Sequence, residues 1–215
     1  MITVSAMANN CPLVFIVDDD PRVRDALSDL LASAGRAAVA FASATDFLNA
    51  AKPDVPACVV LDLELPDING LEVQRALTGH NALPIVFITG HGDVPSSVKA
   101  IRGGAVDFLS KPFGDAELLQ AVDAAIALDR TARAERSERL ELASRYQRLT
   151  AREREVLAFV VAGFANKQTA GELGTSEITV GVHRSQMMRK MNARSLVELV
   201  RFADRLGISP FKNPK

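Results

Sequence analysis

In the first half of the chain, short apolar runs alternate with segments whose apolar residues recur at helical spacing. LVFIV (13–17), AAVAF (37–41), ACVVL (57–61), PIVFIT (84–89) and VDFLS (106–110) have strand length and are rich in branched, aromatic or small apolar side chains. Between them lie amphipathic stretches at Arg22 to Ala34, Ala44 to Ala51, Leu71 to Thr78, Ser96 to Arg102 and from Asp115 onward. Five strands interleaved with helices predict an α/β domain, a doubly wound five-stranded parallel sheet with helices on both faces. In that class ligands bind outside the carboxyl ends of the strands, so the residues that close each strand carry the chemistry.

From about Leu118 the pattern becomes helical and polar, with Arg and Glu mixed along it and neither Gly nor Pro up to Leu149. This predicts one long helix, with residues 128–147 as a linker that serves as a spacer or a dimerising stalk. The remainder reads as a small all-α domain of four helices. Thr150 and Glu153 form a capping box that opens the first, which stops at Gly163. Asn166 is placed to cap a short second helix ended by Gly174, and Ser176 to cap a third that runs through Met191. Ser195 and Glu198 form a second capping box before the last helix, Leu196 to Leu206. Four helices joined by tight Gly-containing turns contain a helix-turn-helix. The domain boundaries expected are a disordered N-terminus (1–12), an α/β domain (13–127), the linker (128–147), the helical domain (148–208) and a tail (209–215).

The 215 residues are 48% hydrophobic and 24% charged, ordinary for a globular protein with a real core. The net charge of −1 hides an asymmetry. Residues 1–147 hold 13 basic and 20 acidic side chains, whereas residues 148–215 hold 12 and 6, a net +6 that suits an approach to nucleic acid. Cys11 and Cys58 offer neither a disulfide framework nor a zinc spacing, and Cys58 reads as a small core residue. No export signal or bilayer-length apolar stretch is evident, so the expected setting is cytoplasmic, without a membrane partner.

Three acids, Asp18, Asp19 and Asp20, follow the first strand, and Asp62 closes the third. The fourth ends in Thr89, and the fifth leads into Ser110-Lys111-Pro112. Carboxylates gathered at one rim need a cation, and Mg²⁺, which takes oxygen ligands, is the cofactor expected. A carboxylate can also act as nucleophile toward phosphorus, with Lys111 and the Thr89 hydroxyl stabilising the oxygens. Asp20, beside Pro21, reads instead as a helix cap. In the helical domain, Val180, Met187, Met188 and Met191 share the inward face of the third helix, leaving Gly181, Val182, Ser185 and Arg189 largely opposite. A DNA-reading helix needs that outer face. The base-facing candidates Gly181, Val182 and Ser185 are weak hydrogen bonders, and the glycine either permits a closer approach to DNA or means that shape and methyl contacts outweigh direct readout.

IVDDD, LDLELPDING, FITGHGDVP and GAVDFLSKPF resemble a response-regulator receiver domain, and LTAREREVLAFVVAGFANK and TVGVHRSQMMRKM resemble a LuxR-type helix-turn-helix. The combination resembles two-component response regulators of the NarL/FixJ subfamily. The resemblance implies that Asp62 is the phosphoacceptor, that Asp18, Asp19 and the Glu64 backbone carbonyl join it as metal ligands, and that Thr89, Lys111 and Phe108 form the switch, with a cis bond before Pro112. It places the Glu64 and His91 side chains beside the path of an attacking water. It also implies that Lys167, Ser176, Thr179, Gly181, Val182, Arg184, Ser185 and Lys190 meet DNA, and that the last helix forms a dimer interface on DNA. The expected partners are a sensor histidine kinase, inverted-repeat duplex DNA, a second copy of the chain when phosphorylated, and RNA polymerase. The expected output is transcriptional activation, with no enzymatic activity beyond the receiver's own phosphorylation and dephosphorylation. The rival readings are a metal-dependent phosphatase with Asp62 as nucleophile and a receiver-controlled protein-interaction module.

Overall fold

The computed structural model describes residues 11–77, 79, 82–90, 94–209 and 211. Residues 1–10, His91 and residues 212–215, on which part of the expectations fall, lie outside these. The elements run β1 (Leu13–Val17), α1 (Pro21–Ser33), β2 (Ala37–Phe41), α2 (Ala44–Asn49), β3 (Ala57–Asp62), α3 (Gly70–Ala76), β4 (Ile85–Thr89), α4 (Val94–Arg102) and β5 (Asp107–Ser110). They continue with α5 (Asp115–Gln147), α6 (Ala151–Val161), α7 (Asn166–Leu173), α8 (Glu177–Met191) and α9 (Leu196–Leu206). The chain divides into two compact units at Arg133/Ala134, within α5. The separate linker expected over 128–147 is therefore shared out between them.

In the first unit all strands are parallel, in the order β2-β1-β3-β4-β5. Every residue of β1, β3 and β4 is buried, which explains why these strands read as unbroken apolar runs: helices cover both faces. Alternate residues point to opposite sides. Phe15, Val17, Val59, Leu61 and Phe87 pack with Phe47 and Val73, whereas Val14, Ile16, Val60, Val86 and Ile88 pack with Leu31, Leu118 and Val122. Cys58 lies in this second layer, where burial pushes its thiol up to about 12, an inert core residue as expected. The chain leaves β1 toward β2 on one side and pairs it with β3 on the other, so the crevice of this fold opens where β1 and β3 end.

Asp129 on α5 ties the helix to the start of β3. Its buried carboxylate accepts the Ala57 backbone N–H at 2.8 Å and Arg133 Nε at 2.6 Å, while Arg133 also pairs with Asp54.

The second unit holds its own core of Leu149, Val156, Leu157, Val160, Ala170, Val180, Met187, Met191 and Leu199, against which Tyr146 at the end of α5 also packs. Thr150 and Glu153 make the expected capping box on α6. Two caps differ from expectation. The cap of α7 is Ala165, whose N–H is accepted by Gln168, because Asn166 is turned away to accept a hydrogen bond from Arg184 Nη1 at 3.1 Å. Before α9, Ser195 accepts from the Glu198 N–H, but Glu198 reaches one residue further back, to the Arg194 N–H at 2.7 Å. Phe211, expected in a tail, folds back: its N–H donates to the Ala158 carbonyl, and its ring lies 4.2 Å from that of Phe159.

Asp129→Ala strands a buried N–H and a guanidinium together, so the first unit should lose about 1–3 kcal/mol. Urea unfolding followed in the full chain should show a lower midpoint with an unchanged slope, and Asp129→Asn, which keeps an acceptor for Ala57, should lose less.

Candidate functional site

The rim of the sheet is assembled by backbone hydrogen bonds between strand ends. The Asp18 N–H donates to the Phe41 carbonyl, the Leu63 N–H to the Ile88 carbonyl and the Lys111 N–H to the Thr89 carbonyl, at 3.3, 3.0 and 2.7 Å. These bonds place Asp18, Asp62, Thr89 and Lys111 along one edge. Asp18, Asp62 and Thr89 are buried, whereas Asp19 is exposed. Lys111 Nζ donates to Asp18 Oδ2 and to Asp62 Oδ2, each at 2.7 Å. The bond between Lys111 and Pro112 is cis, as expected.

Two carboxylates share one ammonium here, and the charges show it. Burial pushes the Asp18 carboxyl above its ordinary value despite hydrogen bonds from Lys111 and the Asp20 N–H. For Lys111, burial works against the charge, but its bonds to Asp18 and Asp62 prevail and hold it above the ordinary lysine value. The Asp20 side chain is not one of the acids held by Lys111. It accepts the Arg22 N–H at 2.9 Å as the cap of α1, with Pro21 in the first turn. The triplet thus divides into two acids at the rim and one cap.

A carboxylate oxygen from each of Asp18, Asp19 and Asp62 lies within 4.8 Å of the others. This all-oxygen, acidic donor set suits a hard divalent cation such as Mg²⁺. The Glu64 N–H donates to Asp62 Oδ1 at 3.0 Å and so helps orient the carboxylate. Phe108 is half-buried on β5, its ring 6.4 Å from that of Phe87.

Three supporting residues escaped the sequence reading. Arg24 Nη1 donates to the carbonyls of Asp18 and Asp19, at 2.7 and 2.9 Å, and so clamps the acidic loop. Asp67 accepts from the Ala44 and Thr45 N–H groups and from the Thr45 hydroxyl, tying the loop after β3 to the start of α2. These bonds outweigh desolvation and bring its carboxyl down to about 2. Gly70 opens α3 directly behind β3, where a Cβ would stand 2.7 Å from the Asp62 carbonyl and 3.0 Å from the Phe87 ring. In the sequence, only the Gly of LDLELPDING hinted at that close approach.

In the second unit α8 is capped by Ser176, whose Oγ accepts the Thr179 N–H and lies 2.8 Å from Thr179 Oγ1. Val180, Met187 and Met191 are buried, with Met188 half-buried beside them, while Val182, Ser185 and Arg189 are exposed and Gly181 lies between. Lys167 on α7 is exposed. Lys190 is engaged at home. Its Nζ donates at 2.7 Å to Glu153, whose side chain is 1% exposed against 33% for Lys190. Burial works against the Glu153 charge, but the bonds from Lys190 and from the Thr150 N–H hold its carboxyl below the usual glutamate value.

Two outcomes follow from these charges. A group whose folded pKa is raised stabilises fully below its unfolded value and loses that contribution as pH rises through the folded one. In metal-free buffer, Asp18→Asn should therefore unfold at higher urea than the parent at neutral pH, with the gap closing as pH falls into the ordinary carboxylate range. Lys190→Ala leaves Glu153 buried without its cation and should cost about 1–3 kcal/mol. Because the Glu153 pKa is depressed, that cost is full above the unfolded glutamate value and is lost as pH falls from there through the lower folded value, which thermal unfolding across pH can read.

Comparison with known proteins bears on both units. The model of the response regulator receiver domain matches residues 14–123, and that of the bacterial regulatory proteins of the luxR family matches residues 147–203. Nodulation protein W of Bradyrhizobium diazoefficiens is 48% identical over 203 residues, covering 94% of this chain and 89% of that protein. Transcriptional regulatory protein FixJ of Azorhizobium caulinodans is 45% identical over 200 residues, covering 92% of this chain and 94% of that protein. Among solved structures, the response regulator StyR matches with a TM-score of 0.81 at 44% identity, over 90% of this chain and 98% of that one. With a receiver at its front, a LuxR-type DNA-binding domain at its back and relatives alike along almost the whole length, the chain belongs to the two-component response regulators of the NarL/FixJ type, phosphorylation-dependent regulators of transcription.

Proposed function

We propose that Asp62 is the phosphoacceptor and that its phosphorylation by a sensor histidine kinase switches this chain into a DNA-bound dimer. The observation that carries this reading is the pair of buried carboxylates, Asp18 and Asp62, held on one ammonium where β1 and β3 end. An Asp62 carboxylate oxygen attacks the phosphorus of the kinase phosphohistidine, whose other ring nitrogen carries a proton; an O–P bond forms and the N–P bond breaks with its electron pair going to nitrogen, leaving the neutral imidazole to the kinase. The oxygens of Asp18, Asp19 and Asp62, with the Glu64 carbonyl, would hold Mg²⁺, whose charge offsets that of the phosphoryl oxygens. Lys111, already within 2.7 Å of the acceptor, stays to balance one of those oxygens. Hydrolysis of the acyl phosphate by water then resets the switch, with Glu64 and His91 beside its path.

Thr89 and Phe108 relay the event. The Thr89 hydroxyl engages the phosphoryl group, the Phe108 ring follows, and the surface of α4, β5 and α5 changes shape. Dimerisation then presents two copies of α8 to an inverted repeat, with α9 at their interface. Lys167, with Ser176 and Thr179 at the start of α8, takes phosphates, and Arg184 does so through the donors it does not give to Asn166, whereas Gly181, Val182 and Ser185 face the bases. Lys190, bound to Glu153, serves phosphate only as far as its remaining donors reach outward. Contact with RNA polymerase makes the bound dimer an activator, and the working place of such a regulator is the cytoplasm. Among the described residues no helix is long and apolar enough to cross a membrane.

The test is transfer of labelled phosphate from a phosphorylated histidine kinase. The parent should take up label in Mg²⁺ and lose the ability in excess chelator, and Asp62→Asn should take up none; labelling that survives Asp62→Asn would overturn the assignment. Binding to selected duplex DNA should require Mg²⁺ plus beryllofluoride, a phosphoryl mimic, in the parent and fail to respond in Asp62→Asn. Lys167→Ala should reduce the slope of log affinity against log salt by about 1 without changing thermal stability.

A further inference from the structure

The outer face of α8 is unusual for a surface meant to read polar base edges. With about 100° of turn per residue, Ile178, Val182, Ser185 and Arg189 form one stripe along the helix, opposite the buried Val180, Met187 and Met191. The first two turns of that stripe are aliphatic. Ile178 is 82% exposed and Val182 is 50% exposed, one turn apart, with Gly181 beside them adding no side chain. Beyond them the stripe continues with Ser185 and the exposed Arg189, and other polar side chains along α8 are engaged within the unit. Arg184 donates to Asn166 on α7, Lys190 donates to Glu153 on α6, and Thr179 lies against the Ser176 hydroxyl. Only Gln186, exposed at the margin of the stripe, carries an amide near it.

A branched aliphatic residue standing almost wholly in water has a cost that packing within this unit does not relieve. The partner that fits must be apolar and must present itself at the bottom of a polyanionic groove, since the unit carries a net +6. In the major groove the apolar group is the thymine 5-methyl. Resting on the reading of α8 as the DNA-contacting helix, we infer that Ile178 and Val182 are specificity-determining residues that recognise thymine methyl groups. The absence of a side chain at Gly181 lets the helix approach closely enough for them to touch. Each half-site of the operator then contains thymines whose methyl groups matter more than their hydrogen-bonding edges, with Ser185 and Arg189 following along the same groove.

The test uses the full chain in Mg²⁺ and beryllofluoride. Its preferred duplex is first selected from a random library. Each thymine is then replaced in turn by deoxyuridine, which removes the methyl and keeps the base pair, and affinity is read by fluorescence anisotropy at fixed salt. One or two positions per half-site should weaken binding about fourfold each, the effect of losing one buried methyl. In Ile178→Ala or Val182→Ala the same replacement should have no further effect, while the salt slope and the thermal midpoint stay at the parental value. Ile178 and Val182 are exposed, so both variants should fold normally, and far-ultraviolet circular dichroism checks this. Deoxyuridine tolerated at every position, or losses that persist unchanged in both variants, would overturn the inference and move readout to polar groups such as Gln186. Failure of the DNA-binding reading itself looks different: no sequence is enriched, and affinity for duplex does not fall with salt.

Discussion

One ammonium facing two buried carboxylates is the constraint around which the first unit is organised. Lys111 Nζ stands 2.7 Å from both Asp18 and Asp62, and its charge offsets part of the cost of holding two carboxylates at that depth. The three groups meet because a doubly wound parallel sheet brings the carboxyl ends of β1, β3 and β5 to a single rim. The imbalance of two negative charges against one positive leaves the rim ready to accept further positive charge.

Precision at that rim comes from residues with no chemistry of their own. Arg24 grips the carbonyls of Asp18 and Asp19, Asp67 secures the loop beyond β3 to α2, and Gly70 lets α3 begin against the Asp62 carbonyl. Each constrains backbone, so the geometry of three loops holds the carboxylates together against their mutual repulsion. Phe108 is half-buried against Phe87, a position from which it can move with little disruption of the core.

The second unit handles charge in the opposite way. Its excess is positive, yet two of its cations are used internally: Lys190 neutralises the buried Glu153, and Arg184 bridges α8 to Asn166 of α7. These bonds lock the helix-turn-helix from within, because α6, α7 and α8 are each joined to a neighbour by a charged side chain. The outward face of α8 carries the exposed Ile178 and Val182 in its first two turns, with Ser185 and Arg189 further along.

Local chemistry made much of this legible in the sequence. The unbroken branched runs of β1, β3 and β4 betrayed strands covered on both faces, and Asp20 beside Pro21 marked a helix cap within two residues of its target. Thr150 with Glu153 likewise marked the start of α6. Where a side chain had a choice between a neighbour and a distant partner, the sequence could not choose. Asn166 gave up its capping position for Arg184 on the next helix, and Glu198 reached past Ser195 to Arg194. Lys190 turned from the solvent face to a glutamate 37 positions earlier, and Lys111 met Asp18 across 93 positions of chain. Strand, helix and cap follow from interactions between near neighbours, which the order of residues states directly. The pairing of buried charges follows from which surfaces the packed elements bring face to face, and only the tertiary structure decides that.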